Sequence, residues 1–337
     1  MKINSSEGAE KESAGNEKAL HLARANKAID MLCTDTLHAK NDATTQALHT
    51  PLLRTTIIFY KRKLWCFNLG IHIKHDNSGN MYIWPEIEGQ RGGGRNHMAF
   101  QTLCGISFYI LTPVSARIKV SAITYLMSLI HNDRFDTIRR LCVVSGHTYM
   151  PCDHDFVLIE AEKRRRQYVY TPEDWIDVIQ KSRRRNPSKV YKMNRSDFLS
   201  FECFTNKLQK RTTTMDGDKV ELRKLSQLNF KEEYPTKFEM KLCYSELESV
   251  RYVDVTRSTR GRPTKAAASN KVLAGIILPQ KYISDVPIKP AKFRDLLSLP
   301  CHVPPVNHVY YNSLVSAQSM SSLTEEDSED DIMDYTD

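Results

Sequence analysis

The sequence predicts an α/β (α+β) body, on three observations. Residues 55–88 hold apolar runs broken by turn chemistry, the pattern of successive strands. Residues 171–185, TPEDWIDVIQKSRRR, carry a helix start and a helix stop in one segment. Residues 219–255 return to strand-like runs. Helices and strands therefore share one chain of 337 residues, long enough to bury a sizeable core.

The elements follow in chain order. Residues 1–16 are polar and are expected to be disordered. Residues 17–40 carry Ala19, Leu22, Ala25, Ile29 and Leu32 at three- and four-residue steps, which predicts an N-terminal helix. TTIIFYK and LWCFNLGIHI read as two strands, HDNSGN as a turn and MYIWPEIE as a third strand. ISFYIL reads as a strand, SAITYLMSLI as a helix and TIRRLCVV as a strand, and a helix is expected to run to about Arg166. In the next helix Thr171 is the N-cap, Pro172 opens the first turn, Asp174 holds the capping-box position, and arginines sit at the C-terminal end. VYKM is a short strand and RSDFLSF a short helix with Ser196 as cap. KVELRKL, FEMKLCYSEL and VRYVDV read as strands, and PIKPAKFRDLLSLP as a late helix. The expected organisation is a core over residues 41–200, a smaller β-rich region over 201–315 with a basic loop at 256–270, and a disordered acidic tail over 316–337.

Composition narrows the partners. The net charge of +8 conceals an asymmetry, because residues 325–337 hold eight acids and no Lys or Arg. The rest carries 48 basic against 32 acidic side chains, a balance of +16, which points to a polyanion such as DNA. The longest uncharged run, residues 99–116, contains Gln, Thr, Ser, Gly and Pro, so no membrane partner is expected. The start of the chain has no signal-peptide pattern, and no small-molecule substrate is evident. Eight cysteines without a CxxC pair read as reduced intracellular thiols. Homo-oligomerisation is left open.

The stretch SGHTYMPCDHDF, residues 145–156, is the densest in chemistry. Cys142, His147 and Cys152 have the spacing of three zinc-knuckle ligands, but the first ligand would fall at Arg139, so the cysteines read as buried thiols. Asp153 and Asp155 stand at a helix start, with His147 upstream and Glu160 further along. Two carboxylates and a histidine suit Mg²⁺ or Mn²⁺ and phosphate chemistry; acids at a helix start also simply offset its dipole. QRGGGR lacks the Lys-Ser/Thr of a phosphate-binding loop. Lys163, Arg164, Arg165 and Arg166 form one basic cluster and Arg183, Arg184 and Arg185 another, readable as phosphate contacts, as a bipartite nuclear-import signal, or as solvated helix ends. TRGRPTK, with Arg260 and Arg262, looks like a minor-groove-binding hook. Thr324 and Ser328 precede acidic residues and suit acidophilic kinases, with a plain solubilising tail as the simpler reading.

Several blocks together resemble a transposon-derived domain of unknown function from insects and other animals, regarded as an RNase H-like transposase core. They are FYKRKLWCFNLGIH, YIWPEIEGQRG, VVSGHTYMPCDHDFVLIE, YVYTPEDWIDVIQKSRRRNPSKVYKM and PIKPAKFRDLLSLPCHVPPVNHVYY, in that order, and the similarity spans about residues 20–315. The resemblance implies an RNase H-like mixed central sheet flanked by helices, a DNA-cutting ancestry, and His147, Asp153 and Asp155 as the C-terminal part of a metal site. Relatives carry an aspartate on the first strand; here KNDATTQALHTPLL looks as if it skips that segment, and Asp42 does not clearly replace it. They carry a further acid near the end of a central strand; here no carboxylate occurs from Ala99 to Ile130. Relatives also have an upstream cysteine-containing region, so a truncated copy is expected. The expected function is therefore a transposase-derived protein of the nucleus, catalytically inactive, with no cofactor and with retained nucleic-acid binding. The alternatives are a working nuclease with Mg²⁺ or Mn²⁺ and an acid recruited from elsewhere, such as Glu86, or a protein-interaction remnant using the N-terminal helix and the acidic tail.

Overall fold

A computed structural model describes residues 40–73, 76–90, 107–113, 120–143, 151–205, 207–208, 213–220, 225–243, 249–256 and 271–317, together with helical residues 15–16, 18–20, 22–23 and 26. The chain is mixed α/β. Among the described residues nine strands make one sheet: β1 (Lys40–Thr50), β2 (Leu64–Ile73), β3 (Ser78–Pro85), β4 (Ser107–Pro113), β5 (Thr137–Val143), β6 (Lys189–Lys192), β7 (Gln227–Lys231), β8 (Lys237–Lys241) and β9 (Arg251–Asp254). Their order is β6-β3-β2-β1-β4-β5-β7-β8-β9. β2 runs antiparallel to both β1 and β3, while β4 is parallel to β1 and β5 is parallel to β4. β6 lies parallel to β3 at one edge, and β7, β8 and β9 extend the other side as an antiparallel meander. The helices are α1 (Val120–His131), α2 (Pro151–Arg165), α3 (Pro172–Ser182), the four-residue α4 (Glu202–Thr205), α5 (Pro290–Leu297) and α6 (His308–Asn312). Among the described residues no helix is long and apolar enough to cross a membrane.

Several expectations need correcting. Lys40, the last residue of the helix expected over 17–40, instead opens β1, and residues 27–39 lie outside the described residues. KNDATTQALHT is therefore the strand that joins the two halves of the sheet, paired on both sides, and Asp42 lies on it in register with His72 of β2 and Leu111 of β4. TIIFY is a 3₁₀ helix that buries only Ile58, not a strand. The 3₁₀ turn at Arg195–Asp197 is capped by Asn194 rather than Ser196; its backbone amide donates to Asp197 Oδ2 at 2.8 Å. The seventh strand is QLNFK, and residues 221–224 of the strand expected at KVELRKL lie outside the described residues. The β-rich part of 201–315 is continuous with the core, because β7 pairs directly with β5, Ile138 opposite Phe230. The acidic tail and the basic loop around Arg260 lie outside the described residues.

Burial explains the layering. β2 and β3 are buried along almost their whole length, because helices and loops cover both faces. On one face Leu48, Cys66, Met81 and Ile83 pack under Ile159 of α2 and Trp175, Val178 and Ile179 of α3. Trp175 Nε1 donates to Thr50 Oγ1 at 2.9 Å, so the buried indole is satisfied. The opposite face packs Phe67, Leu69, Tyr82 and Trp84 against Met193 and Phe198. A further cluster joins α1, through Leu126, Met127 and Ile130, to Ile138, Leu228, Phe230 and Met240. α3 forms as its capping residues dictate: Asp174 Oδ2 accepts from the Thr171 amide at 3.0 Å and from the Tyr170 amide at 2.7 Å.

One polar network sits inside the extended sheet. Asn229 and Glu239 are cross-strand partners on β7 and β8, both buried. Glu239 accepts from Asn229 Nδ2 at 2.7 Å, from Lys231 Nζ at 2.7 Å and from the Tyr234 hydroxyl. Burial by itself would raise the Glu239 carboxyl; the bonds from Lys231, Tyr234 and Asn229 outweigh it and hold the group below the usual carboxylate range. Burial, then the Glu239 charge, push the Tyr234 phenol up to about 12. A depressed folded-state pKa stabilises above the unfolded value, about 4.3 for Glu, and that contribution disappears as pH falls through the folded value. Glu239→Gln is therefore expected to cost about 2–3 kcal/mol at pH 7 and progressively less toward pH 3. Urea titrations across that range measure the gap between variant and parent; a gap that ignores pH contradicts the assignment.

Candidate functional site

The densest constellation of the sequence opens α2. Pro151 starts the helix and Asp153, in its first turn, is half-buried and interacts with neighbouring groups. Asp155 is 2% exposed. Its Oδ2 lies 2.7 Å from Nδ1 of His72, near the end of β2, and its Oδ1 lies 3.3 Å from Nη1 of Arg183, at the C-cap of α3. A second guanidinium nitrogen of Arg183 donates to the Asn77 carbonyl in the β2–β3 turn at 3.2 Å. Asp155 thereby ties the start of α2, the end of α3 and the β2–β3 hairpin to one point.

Glycines make the fit. A Cβ on Gly70 would stand 2.5 Å from Cys152 Sγ and 2.9 Å from the Phe156 ring, so α2 can approach β2 only over a glycine. A Cβ on Gly79 would stand 3.0 Å from the Asp155 carboxylate and 3.1 Å from Ser188 Oγ. Cys152 is a fully buried thiol in this contact, and Cys142 is a buried thiol on β5, as the thiol reading of both cysteines anticipates.

The two aspartates do not share a task. Residues two apart on an α-helix point about 200° away from one another, so Asp153 cannot join Asp155 over His72. Both Asp155 oxygens are engaged, one with a histidine and one with a guanidinium, and a guanidinium occupies the electrostatic role that a divalent cation would take beside a carboxylate. His147 lies outside the described residues. Among the described residues no three His, Cys, Asp or Glu side chains form a group that could hold a metal ion. Further along α2, Glu160 accepts from Gln46 of β1 at 2.8 Å and from Lys163 at 2.9 Å, a link between helix and sheet. Glu86 accepts from the Trp65 amide at 3.1 Å and pairs with Lys292. Trp65 and His72 are seven residues apart on β2, roughly 23 Å at strand rise, so Glu86 does not complete an acid set with Asp155.

The basic clusters divide in two. Arg166 pairs with Asp177 of α3 at 2.6 Å and with Glu162 at 3.3 Å, while Arg183 reaches back to Asp155. These contacts set α2 and α3 antiparallel, with the clusters at opposite ends of α3, about 16 Å apart for its 11 residues. Lys163 pairs with Glu160 and Arg165 with Glu162, so four of the seven cations serve the hairpin itself. Arg164, Arg184 and Arg185 are exposed and have no ion pair among the described residues. Arg260 and Arg262 lie outside those residues.

Sequence reasoning passed over His72, the partner of Asp155, because a lone histidine in an apolar strand carries no signal. It also passed over the exposed ring pair Phe59 and Tyr60, where the run FYKRK, two aromatics followed by three cations, was the available cue. Comparison with protein families, curated proteins and solved structures finds no match for this chain.

Proposed function

We propose that the chain is a transposase-derived protein with an RNase H-like core, inactive in cleavage and retained for nucleic-acid binding. The strand order β3-β2-β1-β4-β5, with only β2 reversed, supports the core reading, since it is the arrangement of an RNase H-type sheet. Three strands of opposite pairing then extend it, beyond the ancestral minimum. Fold alone does not assign function, so the functional half rests on the site.

The observation that carries the inactive reading is the fate of the acids. Asp42 stands on β1, but its β4 partner is Leu111, and SFYILTP holds no carboxylate. Asp155 is consumed in a buried ion-paired cluster. Two-metal cleavage needs several carboxylates converging on one phosphate; of the two acids that the register brings to His72, Asp42 and Asp155, the second is already held by Arg183. The binding half is supported by the +16 balance of residues 1–324 and by exposed Arg164, Arg184 and Arg185.

Incubation with supercoiled plasmid and Mn²⁺ tests the inactive reading. No nicking above buffer is expected, for the parent or for Asp153→Asn. Mn²⁺-dependent nicking that Asp153→Asn or Asp155→Asn abolishes would overturn it.

A further inference from the structure

We infer that the surface formed by Phe59, Tyr60 and Lys63 with the end of α2 and Tyr168 binds single-stranded nucleic acid by stacking bases on its exposed rings. This rests on the nucleic-acid reading above and specifies the strand form and the residues. Phe59 is 81% exposed and Tyr60 87% exposed, side by side at the end of the 3₁₀ helix. Fully exposed large aromatics are uncommon unless they serve contact, and here the same short helix buries only Ile58. Lys63 Nζ sits 5.9 Å from the centroid of the Phe59 ring, so the patch couples a ring face to a cation.

A second aromatic pair is tied to the same stretch of chain. The chain before the 3₁₀ helix is joined to the chain after α2 by two backbone bonds, Leu52 N to Val169 O at 2.7 Å and Val169 N to Leu52 O at 3.0 Å. Val169 is buried, and on either side of it Tyr168 and Tyr170 stack with centroids 5.5 Å apart and planes 8° apart. Tyr168 is 45% exposed. The two cationic segments are also neighbours: burial, then the like charge of Lys163, push the Lys63 ammonium down.

Charge selects the partner. Lys61 and Arg62 share one carboxylate, Asp295, and Lys63 stands over the Phe59 ring. Lys163 pairs with Glu160 and Arg165 with Glu162, while the exposed Arg164 has no ion pair among the described residues. A protein partner would favour an aromatic centre depleted of charge, whereas a cationic excess interleaved with rings fits a phosphate backbone carrying bases. In a duplex the base faces are already stacked on one another and offer nothing to an exposed ring; a single strand offers one face per base.

Anisotropy with fluorescein-labelled 20-nucleotide oligo(dT) and with a 20-base-pair duplex, using the full chain, tests this. The parent is expected to bind the single strand. Phe59→Ala/Tyr60→Ala is expected to weaken that binding roughly 10- to 100-fold and duplex binding by less than about three-fold. Phe59→Tyr/Tyr60→Phe, which keeps both rings, is expected to retain it. Because both side chains stand in water, the alanine variant should keep the parent's thermal midpoint. Duplex binding with single-strand binding absent, or unchanged by the alanine pair, overturns this inference and leaves the nucleic-acid reading standing. Binding to neither, with or without attachment to anionic phosphatidylserine vesicles, overturns both.

Discussion

Asp155→Ala is expected to destabilise the fold by about 3–5 kcal/mol, the cost of breaking a buried charge cluster by removing one partner. Arg183 and His72 would keep their buried positions and lose the carboxylate between them. The α2 start, the α3 end and the β2–β3 turn would lose their common anchor, so the effect should appear as a lower urea midpoint with an unchanged slope. Asp155→Asn keeps the size and some of the hydrogen bonding and should cost less, while still leaving Arg183 uncompensated. The converse expectation belongs to a metal ligand. An acid held near other acids for an absent cation is a source of repulsion, and its removal leaves stability unchanged or improved. Equal or greater stability of Asp155→Ala, together with loss of a Mn²⁺-induced thermal shift in the parent, contradicts the anchoring role.

Arg164→Ser/Arg184→Ser/Arg185→Ser is expected to lower the salt dependence of DNA binding by about 2.7 in log–log slope, near 0.9 for each lost phosphate contact. The three side chains are exposed and have no internal ion pair among the described residues, so they are available to phosphates without breaking the hairpin. Their neighbours differ. Arg166 closes on Asp177 and Glu162, and replacing it should reduce stability more than it reduces the slope. Phosphate contacts carry no sequence information, so the triple variant should weaken binding to unrelated duplexes equally. An unchanged slope contradicts a role for these arginines, and a loss confined to one sequence contradicts a purely electrostatic one.

The parts of the fold that were legible are those whose signals are local. α3 carries its own cap, its proline and its apolar stripe within TPEDWIDVIQ, and it forms where those residues put it. β2 and β3 are apolar enough to be read without knowing their neighbours. β1 was not, because KNDATTQALHT alternates small and polar residues and is made a strand by the partners on both sides of it. TIIFY shows the reverse: β-branched residues favour a strand, yet the segment forms a 3₁₀ helix that buries Ile58. QLNFK hides among polar residues because Gln227 and Asn229 satisfy one another inside the sheet, at 2.7 Å. At the candidate site, the pair Asp153 and Asp155 was visible while its meaning was not. Helical geometry separates the two, and the partners of Asp155 come from positions 72 and 183, far away in sequence.

Duplex-DNA binding by the unmodified chain, followed by anisotropy from 50 to 300 mM salt, tests the central claim most directly. The account predicts binding in the micromolar range at the low-salt end, weakening with a log–log slope of about −3 or steeper. Absence of binding at the lowest salt, or binding indifferent to salt, contradicts it and makes the positive charge of the body incidental to function.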